Sequence, residues 1–162
     1  MPLRLLALAA LLLPTLALAK PWMGITPAES SRDEVIRKFG EPTKKVVQAE
    51  GKEVLAYVGD HAIKGTTQAQ FVIAGGKVEQ IVVFPATSLD ISEVEDTYGR
   101  SCAAEKSPSG AACYTKQLTD DFRSFFWYKR LGLVVFFSDD KKTVQSIVFN
   151  APASASATAA TK

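Results

Sequence analysis

The residues of this chain that could do chemistry are few, and their spacing argues against catalysis. His61 is the only histidine among 162 residues, so no multi-histidine metal site can form. It stands in Gly59-Asp60-His61, where the nearby glycine marks a solvated loop rather than a base working beside a carboxylate. Ser138-Asp139-Asp140-Lys141 has the form S-x-x-K. That motif needs its serine at a helix start with the lysine one turn above, whereas here it straddles a hairpin turn. Asp120-Asp121 and Asp139-Asp140 read as turn residues, because calcium wants more oxygen donors at short spacing. Glu93, Glu95 and Asp96 sit at or near a helix start, where the helix dipole favours acids without any site being needed. There is no Walker loop, nucleophile elbow or dinucleotide fingerprint. The chain therefore reads as a non-enzyme, with neither metal nor cofactor expected.

Two cysteines remain, Cys102 and Cys113, either side of a loop rich in Ala, Ser, Pro and Gly. In an exported chain such a pair is most simply a disulfide, which stabilises by about 3 kcal/mol through the loop-closure entropy it removes. A redox or metal pair would need C-x-x-C spacing or further ligands, and neither is present. Export is read from the first residues: Arg4 is a minimal basic region, Leu5 to Leu13 an apolar core, and Ala17-Leu18-Ala19 a small-x-small cleavage site. The expectation is a signal peptide over residues 1–19, cut after Ala19, giving a periplasmic or secreted protein. The apolar stretch falls short of the roughly 20 residues that span a bilayer, and no cysteine near the cut could carry a lipid, so no stable membrane anchor is expected. The formal net charge is only +2, and basic pairs such as Lys44-Lys45 and Lys129-Arg130 are scattered and answered by acids. No nucleic-acid footprint follows.

The strongest binding signal is the aromatic run Phe122, Phe125-Phe126-Trp127-Tyr128. On a strand from Phe122 to Arg130, neighbouring side chains point to opposite faces, so Phe125 and Trp127 share one side and Phe126 and Tyr128 the other. If helices cover a single face of the sheet, one of these pairs is left on the open face, where aromatics serve as anchors. Trp127 is the central candidate, with Phe125 beside it and Tyr57 on the equivalent strand of the first unit. Which face is open is not decided by the pattern, and burial of these rings is the competing reading.

The elements that must position these side chains are legible as paired segments. Ser31-Arg32-Asp33-Glu34-Val35 with Phe39-Gly40 returns as Asp90-Ile91-Ser92-Glu93-Val94 with Tyr98-Gly99, each a capping box leading into a short helix closed by glycine. Phe71 to Phe84 returns as Val134 to Phe149, apolar runs joined by a Gly-Gly or Asp-Asp turn in the manner of a hairpin. Further strands are expected near Thr43 to Ala49, Glu53 to Val58, Ala112 to Leu118 and Phe122 to Arg130. The expected fold is α+β: two tandem helix-plus-antiparallel-hairpin repeats, over residues 22–85 and 86–150, forming one continuous antiparallel sheet with the helices on one face. Residues 151–162 hold no large apolar side chain and read as a disordered Ala/Ser tail.

With Gly24-Ile25-Thr26-Pro27 leading into a short S-x-x-[DE]-V-[IL]-x-x-F-G-x-P helix, the chain resembles the outer-membrane assembly small-lipoprotein family (BamE, SmpA/OmlA). Duplication of that unit, and Cys102 just after the helix-closing Gly99, is similar to the secreted β-lactamase inhibitor protein family. The resemblance implies a concave sheet that binds a protein, and it places Asp60 where that inhibitor presents an aspartate to its target enzyme. It also departs: there is no lipid-modified cysteine, and two units stand where the lipoproteins have one. Taken together, the sequence reads as an exported, non-enzymatic protein-binding module, open to an inhibitory role and with a protein partner of unknown identity. The alternative is a periplasmic structural factor of envelope and outer-membrane assembly.

Overall fold

The two helices begin where the capping patterns place them. In the computed structural model, which describes residues 19–103 and 112–151, α1 is Arg32–Phe39 and α2 is Ile91–Tyr98. Ser31 accepts the Glu34 N–H while Glu34 accepts the Ser31 N–H, and Asp90 and Glu93 make the same reciprocal pair. Both helices close at a glycine with positive φ, Gly40 at 78° and Gly99 at 109°. A side chain at Gly99 would also strike the Ala112 carbonyl, because the chain entering the second cysteine passes directly over it. The signal segment before Ala19, residues 104–111 of the cysteine loop and the tail from Pro152 lie outside the described residues.

The strands are β1 Lys44–Val47, β2 Glu53–Val58, β3 Thr66–Ala74, β4 Lys77–Pro85, β5 Thr115–Leu118, β6 Ser124–Tyr128, β7 Leu133–Phe137 and β8 Val144–Asn150. All eight lie in one antiparallel sheet of order β1-β2-β3-β4-β8-β7-β6-β5. This corrects the expected pair of helix-plus-hairpin repeats. Four strands follow each helix, and β4 pairs with β8 from Gln80 to Val83, with Ile81 opposite Phe149 and Val83 opposite Ile147. The hairpins are not separate units, because an unpaired β4 or β8 would leave a row of backbone N–H and C=O groups without partners. The fold is α+β in class, a single sheet carrying two short helices.

Side-chain alternation then sorts the sheet. Leu55 and Tyr57 of β2, Phe71 of β3, Ile81 of β4, Phe149 of β8, Leu133 and Val135 of β7 and Tyr128 of β6 form one buried cluster, joined from above by Val35 of α1 and Val94 of α2. Two tyrosines fix the helices to it. The Tyr57 hydroxyl donates to the Gly40 carbonyl at 2.9 Å, and the Tyr128 hydroxyl donates to the Gly99 carbonyl at 2.8 Å. Each bond satisfies a carbonyl that the end of a helix leaves without an internal partner. Arg32 adds a two-pronged contact to Glu53 at 2.6 and 3.2 Å, tying the start of α1 to the start of β2. At the sheet's margins, β1 and β5 are four residues long, exposed throughout, and carry Lys44, Lys45 and Lys116. Short lysine-bearing edges are a means of discouraging strand addition.

Cys102 and Cys113 are bonded to each other, as expected from their flanking of the loop. The residue after the bridge, Tyr114, stacks on Phe126 with ring centroids 3.7 Å apart and donates to Glu95 of α2 at 2.7 Å. The bridge therefore anchors one end of its loop in the core, and the loop's return is stitched to the helix.

Loss of either cap should cost about 1 kcal/mol, the usual worth of an N-cap. Ser31→Ala and Asp90→Ala are expected to lower the denaturant midpoint singly, with Thr substitutions retaining most of the stability.

Alkaline stability offers a second check. Burial first, and then the bond to Glu95, push the Tyr114 phenol up to about 12; Tyr128 is raised by burial as well. An unfolded tyrosine titrates near pH 10, so the folded state holds these protons more tightly. The resulting stabilisation is complete below about pH 10 and is lost as pH rises from there through about 12. Urea melts across that window should show falling midpoints, and Tyr114→Phe should flatten the fall.

Candidate functional site

The sheet has a second face, and its composition departs from that of a solvated surface. An antiparallel sheet with one face on the core normally turns polar side chains outward. Here the cross-strand register lays Trp127 of β6 opposite Val134 of β7, Val134 opposite Val148 of β8, and Val148 opposite Val82 of β4. All four alternate with core residues on their own strands and so point away from the helices. Val148 is only 8% exposed, hidden by its neighbours rather than by a second layer. Alongside this row, Phe125 packs against Phe136 with centroids 5.4 Å apart.

Cations rim the aromatic end. The Lys129 ammonium lies 5.8 Å from the centre of the Trp127 ring, and the Arg123 guanidinium 6.0 Å from that of Phe136. Arg123 is also held at 2.8 Å by Asp121, whose carboxyl is kept below the usual range chiefly by its bond from Thr119. Towards β3 the face turns polar. Gln80 donates to Asn150 at 2.8 Å, and Lys52 pairs with Glu79, together bordering a shallow depression of about 350 Å³ floored by Val54, Val72 and Val82. The face thus offers apolar and aromatic contact at one end and amide hydrogen bonding at the other. It brings together no nucleophile with a base, and among the described residues no group of three or more His, Cys, Asp or Glu could hold a metal.

Of the residues singled out from sequence, Trp127 and Phe125 stand on this open face, both half-buried. Tyr57 does not, and its assignment as a binding residue is corrected. It is fully buried between Phe39 and Phe71, with its hydroxyl spent on the carbonyl of Gly40. Its counterpart by contact is Tyr128, not Trp127. Asp60 is exposed in a one-turn 3-10 segment, Gly59–His61, after β2. Between β2 and β6 stand β3, β4, β8 and β7, so Asp60 and Trp127 are separated by roughly 24 Å at the usual strand spacing. No small ligand touches both. Phe122 falls outside β6, in the turn before it, 80% exposed and with φ of 61°. Ser138 to Lys141 is a turn, where the Lys141 N–H bonds the Ser138 carbonyl and Asp140 accepts from the Lys142 and Thr143 N–H groups.

Phe136 and Val134 belong to the site and escaped the sequence reading. Alternation within Leu133–Phe137 separates Val134 and Phe136 from the core trio, but in an all-apolar strand the period cannot say which set faces outward.

The sequence matches no established family profile and no curated protein. The fold is similar to that of a DUF4309 family protein (YjgB) from Bacillus subtilis subsp. subtilis str. 168, at 16% identity and a TM-score of 0.50, over 80% of this chain and 83% of that one. An extracellular protein containing a SCP domain from Bacillus anthracis str. Ames is also similar, at 15% identity and a TM-score of 0.49, over 75% of this chain and 43% of that one. Identities this low speak to the fold alone, and neither likeness bears on the β-lactamase inhibitor or small-lipoprotein resemblance.

The two faces should respond differently to truncation. Trp127→Ala is expected to cost about 1 kcal/mol or less, the scale of a cross-strand pair, while Tyr57→Ala should cost about 3–5 kcal/mol as a core aromatic. Thermal melts followed by circular dichroism separate the two outcomes.

Proposed function

We propose that this chain is an exported, non-enzymatic module that binds a protein through the open face of its sheet. The observation that carries the reading is the contiguous row Trp127, Val134, Val148 and Val82, apolar on the side of the sheet opposite both helices. Large half-buried aromatics with apolar neighbours and a polar surround have the makeup of an interface core and rim. The cations over Trp127 and Phe136 favour a partner that brings carboxylates to the border of an apolar patch. The bond between Cys102 and Cys113 supports an oxidising compartment, in keeping with the signal-like segment that ends at Ala19. Among the described residues no helix is long and apolar enough to cross a membrane.

Photo-crosslinking tests this directly. A crosslinker installed at Phe125 or Val134 should capture a recurrent protein in native secretions or envelope, and one at Lys38, on the outer side of α1, should not. Trp127→Ala should weaken the captured complex at least tenfold, about 1.4 kcal/mol, without changing the fold. Equal capture from both faces would refute the assignment.

A further inference from the structure

On the helix side of the same sheet, α1 is tied to β2 through Tyr57 and α2 to β6 through Tyr128. Each covers its own half, and between them a cleft of about 350 Å³ opens over the central strands. Its floor is Val83 of β4 with Ile147 and Phe149 of β8, all at or below 6% exposed. One wall is Trp22, whose indole packs on Phe39 and Phe71 and so belongs with α1. The other is Tyr98 of α2, packed on Tyr128. Leu89 lines the end of the cleft. The volume lies at the low end of ligand pockets, and the lining is mostly apolar with few polar groups, as such pockets are.

Charge gives the cleft a direction. Lys64 stands at its rim, exposed, and forms no ion pair among the described residues. Lys20 holds its ammonium 5.9 Å from the centre of the Tyr98 ring. The cleft's own lining includes no carboxylate, whereas Glu93 and Asp96 line the adjoining depression that shares Leu89, Tyr98 and Ile147. Both cations at the margins of the cleft, Lys64 on its lining and Lys20 over Tyr98, thus attract an anion, and the nearest acids, Glu93 and Asp96, lie in the adjoining depression.

We propose that this cleft binds a free straight-chain fatty acid, with its alkyl chain over Val83, Ile147 and Phe149 and its carboxylate at Lys64. The site is independent of the open face and of any partner bound there. Isothermal titration of the exported protein with dodecanoate, below its micellar concentration, should show saturable one-to-one binding. Lys64→Glu, at an exposed position, should weaken it at least tenfold, Lys64→Arg should restore it, and dodecyltrimethylammonium should bind no better than the charge-reversed variant binds dodecanoate. Absence of saturation, indifference to Lys64→Glu, equal binding of the cationic amphiphile, or binding to phospholipid vesicles alone would each overturn the assignment.

Discussion

The pairing of β4 with β8 is the constraint on which the rest of the molecule depends. Both strands are distant in sequence, and each would otherwise be the unpaired margin of a four-stranded sheet. Their register puts Ile81 opposite Phe149 and Val83 opposite Ile147 on one side, making a single core beneath two helices. The same register puts Val82 opposite Val148 on the other side, extending the apolar row that begins at Trp127. Because side chains alternate with a period of two, a slip of one residue would exchange these faces along half the sheet. Core, open face and cleft floor are thus set by one strand pair.

The helices are too short to stand by themselves. Eight residues lie below the length at which an isolated helix persists in water, so their stability is borrowed from contacts. Three kinds supply it: reciprocal caps at the start, a buried valine beneath, and a tyrosine hydroxyl on the last carbonyl. For α1 the Arg32–Glu53 pair adds a fourth, and that bond holds the Glu53 carboxyl below its usual range. α2 is braced instead by Tyr114, whose position follows from the adjacent disulfide. Oxidation state and helix placement are therefore linked in the second half and not in the first.

Local features were legible in the sequence, and non-local ones were not. Ser31 and Asp90 announce their helices because a cap and its Glu lie within one turn. Glu53 to Val58 and Leu133 to Phe137 announce strands because β-rich runs end at glycine or at Ser-Asp. The β4–β8 seam has no local signature, since nothing in Ile81 or Ile147 names its partner, and the helix-plus-hairpin reading failed because each helix is followed by four strands of one sheet. Tyr57 was misplaced for a related reason: Glu53 to Val58 is apolar on both sides, so period alone assigns no face. The information lay in a hydroxyl meeting a carbonyl of Gly40, a contact between residues well apart in the chain. Trp127 was legible only as one of a pair, and the structure supplied the side. Phe122 was drawn into the strand by its aromaticity, yet Thr119 closes a turn across it by bonding the Arg123 N–H.

The sheet's margins carry a consequence for valency. Strand addition would let copies or partners attach indefinitely along β1 and β5, but those strands are short and charged with lysine. The flat of the sheet, by contrast, has room for a single occupant on its apolar row. An assembly formed on that face would close at a fixed stoichiometry and offer no growing end.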